Sequence, residues 1–125
     1  MKLARIFSVA AVFGVLMAQS FSAQATIYQG TVTNVTAYNG IIYVNVQSGN
    51  FGSGGQGSCP TGTGMVFTIS VNPSASDFNK SMIALALSAK TTGLMVFAVG
   101  DGNCTSGNPY NSGGSEGLIE LDLKG

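Results

Sequence analysis

The stretch from Ser74 to Cys104, SASDFNKSMIALALSAKTTGLMVFAVGDGNC, decides the fold of this chain. Its first half predicts a helix over residues 77–91, because apolar residues recur at helical spacing and share one face. That face consists of Phe78, Met82, Leu85, Ala86 and Ala89. The candidate N-caps are Ser74, Ser76 and Asp77. Gly93 supplies the left-handed residue that commonly ends a helix.

Two apolar residues of this helix, Ile83 and Leu87, do not belong to the predicted core face. At 100° per residue they lie to one side, near Lys80 and Lys90. One interpretation is that a neighbouring loop covers them. The other is that they form an exposed apolar strip that contacts another subunit of an oligomer.

The remaining elements are strands, and the order of all elements is β-β-β-α-β-β. The second half of the opening stretch, residues 94–99, is apolar at every position, which predicts a strand buried on both faces. The predicted strands cover residues 26–38, 41–47, 65–71, 94–99 and 118–123. A helix between the third and fourth of five strands predicts a β-rich α+β fold, a five-stranded OB-type barrel. A plain β-sandwich is the alternative, but it has no natural place for the helix.

Three local patterns refine the strand predictions. The alternation of the first strand changes parity, which predicts a bulge near Thr33-Asn34. Asn39-Gly40 predicts a two-residue hairpin turn. The last strand is predicted to point Ile119, Leu121 and Leu123 inward. The segments 48–64 and 101–117 are rich in glycine and polar residues, and both are predicted as loops.

The N-terminal residues predict export. Lys2 and Arg5 precede an apolar run from Ile6 to Met17, and Ala23-Gln24-Ala25 matches a signal peptidase site. We therefore expect a signal peptide over residues 1–25, a single domain over residues 26–125, and a secreted or periplasmic location. The apolar run is short for a bilayer span, so no membrane span is expected in the mature chain.

The charge of the predicted mature chain excludes two classes of partner. Without Lys2 and Arg5, three lysines face five acidic residues, a net charge of −2. A chain without a basic patch is not expected to bind nucleic acid or an anionic membrane surface.

The chain has two cysteines, Cys59 and Cys104, and no histidine. In an exported protein two such cysteines favour a disulfide over a metal site, which would need more thiolate or imidazole ligands. In the chain-entropy model, closing a loop of this length stabilises a protein by about 4 kcal/mol.

Two ligand-binding motifs are matched in letters only. Gly52-Ser-Gly54-Gly-Gln-Gly57 fits the G-x-G-x-x-G fingerprint, but a cysteine-proline and a strand follow it instead of a helix, so we interpret it as a loop. Asp101 to Gly107 resembles a calcium loop without the terminal glutamate, and we interpret it as a turn cluster. Neither a metal nor a cofactor is therefore predicted.

Glu116, Glu120 and Asp122 are candidates for a paired catalytic acid and base. Glu120 and Asp122 share the face opposite Ile119 and Leu121, so we expect them in solvent, where a carboxyl group is a poor general acid. A serine or cysteine nucleophile would lack its usual histidine base. The chain is therefore predicted to be non-enzymatic.

Four tyrosines are the amphipathic aromatic residues of the predicted domain: Tyr28, Tyr38, Tyr43 and Tyr110. An exposed tyrosine offers a flat ring and a hydroxyl, which suits contact with a sugar or a protein, whereas a tyrosine over a sheet edge is structural. Tyr110 lies in a polar loop with Asn103 and Asn108. These three residues are the predicted ligand-binding set.

The hairpin strands from Tyr28 to Gln47, the cysteine before strand three, and the run Phe78 to Gly93 leading into residues 94–99 resemble known proteins. The chain is similar to the B subunits of subtilase cytotoxin and pertussis-like toxins, and to small exported bacterial proteins related to them. The resemblance implies an OB-type barrel and, for the toxin members, a pentameric ring that binds sialylated glycans.

The toxin subunits have a tryptophan-bearing N-terminal segment and an aromatic, proline-containing loop after strand four. This chain has no tryptophan, and its corresponding loop begins Asp101-Gly-Asn-Cys, so the resemblance assigns no glycan-contacting residue. The function predicted is a secreted binding module for a glycan or a protein, in oligomeric form. The alternative is a monomeric structural or inhibitory protein of the envelope that binds no glycan.

Overall fold

The computed structural model describes residues 25–52, 59, 64–111 and 113–124. Within these ranges the chain has the predicted β-rich α+β class, with one five-stranded sheet and one helix. The elements are β1 (Ile27–Tyr38), β2 (Ile41–Phe51), β3 (Gly64–Ser70), α1 (Asp77–Thr92), β4 (Met95–Thr105) and β5 (Ser115–Leu123). Strands β2, β4 and β5 continue into segments that the sequence predicts as loops. Residues 1–24 of the predicted signal peptide, and residues 53–57 of the G-x-G-x-x-G motif, lie outside the described residues.

The five strands close into a barrel in the order β1-β2-β3-β5-β4, and β4 pairs with β1. All pairs are antiparallel except β3–β5, which is parallel. Closure leaves one face of every strand inside, where apolar side chains fill the interior. The largest fully buried apolar side chains are Tyr28, Phe67, Met65, Ile69, Val44, Val46 and Val96.

The predicted bulge in β1 is confirmed. Val32 pairs with Val46 and Asn34 pairs with Asn45, so β1 contains one extra residue, Thr33, between the two pairs. An extra residue reverses which parity faces the interior. Val32 is buried before the bulge, and Val35 packs against the core after it.

A second bulge, in β5, makes one prediction wrong. Val99 pairs with Glu120 and Gly100 pairs with Leu118, which leaves Ile119 as the extra residue on β5. The inward parity therefore changes between Leu118 and Leu121, both of which are buried. Ile119 was predicted to point inward, but its side chain is 50% exposed because it lies at the bulge.

Helix α1 has the predicted ends. The Ser76 Oγ accepts a hydrogen bond from the Asn79 N–H at 3.0 Å, and Gly93 ends the helix with φ 70°. The helix packs against β1, β3 and β5 and buries Met82, Ala86 and Ala89. Phe78 does not join this face. It is 58% exposed, because burial begins only at the second turn of the helix.

Strand β4 is buried on one face only, whereas the sequence predicted burial on both faces. Val96 and Ala98 are 0% exposed and point into the barrel, whereas Met95 is 42% exposed. The prediction was wrong because the helix packs against β1, β3 and β5 and leaves the outer face of β4 uncovered.

The two side residues of α1 have different environments. Ile83 is partly buried and packs against the core, while Leu87 is 49% exposed. Ile83 therefore agrees with the interpretation that these residues are covered, whereas Leu87 agrees with the interpretation that they are exposed. None of the described helices is long and apolar enough to cross a membrane.

Candidate functional site

A groove on the outer surface of the barrel is the candidate binding site, and it has a volume of about 340 Å³. We call it the tyrosine groove. It is lined by Tyr38, Tyr43, Ser106, Gly107, Asn108 and Pro109. The two tyrosines come from the β1–β2 hairpin, and the other residues come from the connection between β4 and β5.

The hairpin places the two tyrosines side by side. Thr36 pairs with Tyr43 and Tyr38 pairs with Ile41, so Tyr38 and Tyr43 are diagonal neighbours on one face. The Asn39-Gly40 turn has positive φ at both residues, 50° and 74°, as a type I′ turn requires. The predicted hairpin turn is thus confirmed. Tyr38 is 60% exposed, so its ring is accessible.

Asn108 organises the opposite side of the groove. Its Nδ2 group donates to the Gly113 carbonyl at 2.8 Å, the Gly114 carbonyl at 3.0 Å and the Asn111 Oδ1 at 2.9 Å. Its Oδ1 accepts from the Tyr110 N–H at 2.9 Å and the Asn111 N–H at 3.0 Å. Because both ends of the amide are occupied, Asn108 shapes the turn and has no donor left for a ligand.

Tyr110 fastens this turn to the barrel. Its hydroxyl donates to the Tyr43 carbonyl oxygen at 3.1 Å, across a sequence separation of 67 residues. Burial raises the pKa of the Tyr110 phenol, and a hydrogen bond with the Thr36 side chain offsets part of that rise. Tyr110 is therefore an anchor that holds the turn next to Tyr43.

The disulfide supports the same turn from behind. Cys59 and Cys104 are bonded as predicted, with an S–S distance of 2.04 Å and a Cα–Cα distance of 5.0 Å. Gly114 lies against the bond, since a Cβ atom there would be 2.6 Å from the Cys104 Sγ. The Gly114 carbonyl is also one of the acceptors of Asn108. The disulfide thus fixes the base of the turn that lines the groove.

The structure places the three predicted ligand-binding residues in three different roles. Asn108 lines the groove, and Tyr110 anchors the turn beside it. Asn103 is exposed and lies in the irregular last part of β4, where its N–H donates to the Asp101 Oδ1 at 2.8 Å.

Sequence reasoning did not select the two tyrosines that line the groove, Tyr38 and Tyr43. Their signal was present, because Tyr43 alternates with the apolar residues Ile42 and Val44, and Tyr38 ends the predicted first strand beside the turn. Tyr28 is structural: it is 2% exposed, and its hydroxyl accepts from the Gly49 N–H at 2.9 Å.

The acidic residues lie away from the groove. Glu120 and Asp122 are exposed, as predicted, and Asp122 lies 3.6 Å from the Lys124 Nζ. Glu116 is completely buried and accepts hydrogen bonds from Thr26. Burial raises the pKa of Glu116, its bonds to Thr26 oppose that rise, and Asp101 adds to it. In the described part of the chain, no group of three or more metal-ligating residues could hold a metal ion.

Comparison with known proteins found no matching family model, no curated protein with significant similarity and no solved structure with significant similarity.

Proposed function

We propose that this protein is an exported, non-enzymatic binding module with an OB-type barrel, and that it holds an uncharged glycan in the tyrosine groove. The observation that carries the proposal is the pair of neighbouring tyrosines facing a turn that is already fixed in place. Export is supported by the N-terminal charge, apolar run and Ala23-Gln24-Ala25 pattern. The resemblance to toxin B subunits is consistent with the same class of ligand.

The chemistry of the groove matches that of a sugar. Sugar rings have C–H faces that pack on aromatic rings, and hydroxyls that need donors and acceptors. Tyr38 and Tyr43 supply the rings, and within the described residues their hydroxyls have no hydrogen-bond partner. Ser106 adds another hydroxyl on the opposite side. The volume of about 340 Å³ is at the lower end of the range for small-ligand sites, which suits one or two sugar rings.

The groove favours a neutral ligand over a charged one. None of the described residues that line it carries a charge. A carboxylate, such as that of a sialic acid, binds best opposite arginine, lysine or a set of backbone N–H groups. We therefore expect neutral glycans to bind more tightly than sialylated ones, unlike the toxin members that the chain resembles.

The groove is also prepared before a ligand arrives. Asn108 forms hydrogen bonds within the turn, Tyr110 bonds the turn to Tyr43, and the disulfide supports the base of the turn. A rigid site loses little conformational entropy on binding, so modest contacts suffice for measurable affinity.

A glycan array probed with the exported, disulfide-bonded protein tests the proposal. We expect binding to neutral glycans, at least about tenfold weaker after Tyr38→Ala, because truncating an aromatic residue that anchors a ligand costs roughly 2 kcal/mol or more. Phe78→Ala is the matched control, since Phe78 is also an exposed aromatic residue but lies on α1. Binding to no glycan, or equal losses in the two variants, would contradict the proposal.

Self-association is the second part of the proposal, and the exposure of Leu87 favours it. Ile83 is partly buried, so Leu87 is the stronger contact of the predicted pair. Size-exclusion chromatography with light scattering separates an oligomer from the monomeric envelope protein that is the alternative. An oligomer that dissociates after Leu87→Lys would support the contact, and a wild-type monomer would exclude it.

A further inference from the structure

The barrel contains a buried acidic pocket formed by Thr26, Gly100 and Glu116, which we call the Thr26 pocket. Glu116 and Thr26 are both 0% exposed. The Thr26 N–H donates to the Glu116 Oε2 at 3.0 Å, and the Thr26 Oγ1 donates to the Glu116 Oε1 at 3.2 Å. Carboxylates are rarely buried to this extent without a cation.

Among the described residues, the groups that act on Glu116 are an acid and hydrogen-bond donors, with no cation. The side chain of Asp101 and the backbone N–H of Gly102 are the other groups that act on it. Within the described ranges, the one ion pair between side chains joins Lys124 to Asp122. Burying a carboxylate without a cationic partner lowers the stability of the folded state, and the nearby Asp101 lowers it further.

The pocket is built closely around the main chain of Thr26. The Gly100 N–H donates to the Thr26 carbonyl oxygen at 2.8 Å. A Cβ atom on Gly100 would lie 1.6 Å from the Glu116 Oε2, so any larger residue would displace the carboxyl group from its present position. The pocket thus positions one nitrogen atom, that of Thr26, against one carboxylate.

We propose that Glu116 is the acceptor for a new N-terminus, the α-ammonium group of Thr26, which is released by cleavage between Ala25 and Thr26. This inference rests on the export that forms part of the proposed function. A signal peptidase would hydrolyse the peptide bond: the hydroxide of a water molecule goes to the Ala25 carbonyl carbon, and the C–N bond breaks. The Thr26 nitrogen takes the remaining proton of that water and, at neutral pH, one more from the solvent.

Cleavage changes the electrostatics of the pocket without moving its atoms far. The nitrogen that now donates one hydrogen bond becomes a cation with three N–H donors, already 3.0 Å from the Glu116 Oε2. The unpaired carboxylate then becomes one half of a buried ion pair. The mature protein is therefore expected to reach its full stability only after processing, which couples folding to export.

Amine labelling of the exported wild-type protein is the first test. The full chain is expressed with its own N-terminal segment, and intact mass must show that the product begins at Thr26. The native protein is then treated with an acetylating N-hydroxysuccinimide ester. The exposed Lys80, Lys90 and Lys124 serve as internal standards. We expect the α-amine to react at least about tenfold more slowly than the lysines, and at a similar rate after unfolding.

A cycle of variants is the second test. In one arm a glycine is inserted between Ala25 and Thr26, so that cleavage leaves the charge one residue, about 3.8 Å, away from the pocket. Glu116→Gln is expected to raise the unfolding equilibrium constant about a hundredfold in the chain that begins at Thr26, and much less in the chain with the inserted glycine. Glu120→Gln is the matched control on the same strand, and should leave both chains unchanged.

Three outcomes would overturn the inference. They are a mature chain that begins elsewhere than Thr26, an α-amine that reacts as fast as the lysines in the native protein, and an equal effect of Glu116→Gln in both arms. The labelling test needs no variant, so a Glu116→Gln chain that fails to fold still leaves a result. None of these readouts involves a glycan, so failure of the glycan array leaves the inference standing.

Discussion

The tyrosine groove is lined by the connection between β4 and β5, whereas the Thr26 pocket is formed by Gly100 and Glu116 of those two strands together with Thr26, and the two regions treat polar groups in opposite ways. In the groove, Tyr38 is 60% exposed, and the lining residues that the structure describes are all uncharged. In the pocket, Glu116 carries a carboxyl group at 0% exposure. The groove leaves hydroxyls available for a ligand, whereas the pocket encloses its polar atoms completely. The two regions thus differ in whether their polar side-chain atoms already have hydrogen-bond partners within the protein.

Both regions are held by polar side chains bonded to backbone atoms distant in sequence. In the groove, Tyr110 bonds to the Tyr43 carbonyl of β2, 67 residues away in the chain. Glu116 bonds to Thr26, 90 residues away in the chain. Four changes should separate the two regions, and they follow in order of expected effect.

Loss of the disulfide should have the largest effect. The bond closes a loop with a sequence separation of 45 residues. In the chain-entropy model, its removal lowers the free energy of unfolding by about 4 kcal/mol. Urea denaturation of the Cys59→Ala/Cys104→Ala double variant measures this loss. Because the bond lies behind the groove turn, glycan binding should fall even where the protein remains folded, and unchanged binding would contradict that view.

The two regions should respond differently to the same substitution at glycine. Gly100→Ala puts a methyl group 1.6 Å from the Glu116 Oε2, and overpacking of this kind costs about 3 kcal/mol. Gly107→Ala meets no atom within 4 Å but keeps a φ of 91°, and we expect a cost of about 1 kcal/mol. Thermal and urea unfolding of the pair measure the difference. Equal costs would show that the pocket is looser than described.

The tyrosines should separate anchoring from binding. Tyr110→Phe removes the hydrogen bond to the Tyr43 carbonyl and should destabilise the protein by about 1 kcal/mol. Tyr38→Phe is the matched control, and it should leave stability within about 0.5 kcal/mol while weakening ligand binding. Urea denaturation and glycan binding of both variants check this. A stability loss confined to Tyr38→Phe would reverse the assigned roles.

The dependence of stability on pH should have opposite signs when Thr26 is in peptide linkage and when it is the N-terminal residue. When Thr26 is in peptide linkage, burial first, and Asp101 to a lesser degree, raise the pKa of Glu116. The folded state then holds the proton more tightly, so stability is full below the unfolded pKa of Glu116 and falls as pH rises through the folded pKa.

With the Thr26 α-ammonium in place, we expect a lowered pKa for Glu116 and the opposite slope: stability is present above the unfolded pKa and is lost as pH falls through the folded one. Urea midpoints from pH 3 to pH 7 compare the mature chain with the chain carrying the inserted glycine. Glu116→Gln should remove the slope in both, and identical slopes in the two chains would exclude the ion pair.

Some features of the fold could be predicted because they depend on local chemistry. The bulge at Thr33 is readable since Val32 and Val35 break the alternation of β1 on both sides. The bulge at Ile119 was hidden, because Ile119, Leu121 and Leu123 alternate without interruption. Phe78 was wrongly predicted to be buried for a related reason. Helical spacing shows which residues share a face of the helix, but it does not show how much of that face the barrel covers.

The residues that line the tyrosine groove were predicted only in part. The polar loop that carries Tyr110 and Asn108 does border the groove, but the hydrogen bonds of both residues are made within the protein. Tyr38 and Tyr43 could not be ranked above the other tyrosines, because what gives them a cavity is a turn more than sixty residues further along the chain. The burial of Glu116 depends on Thr26 and Gly100, and nothing in its local sequence indicates it.

By itself, the amino-acid sequence determined the helix and its caps, the β-rich class, the hairpin turn and the pairing of its two cysteines. These follow from periodicity, turn chemistry and cysteine count, which act over a few residues or admit a single solution. Only the tertiary structure decided which faces of β4 and β5 lie inside, which tyrosines border a cavity and where a carboxyl group is enclosed. Such outcomes depend on the closure of the barrel, which brings distant segments together and determines which polar groups remain in contact with water.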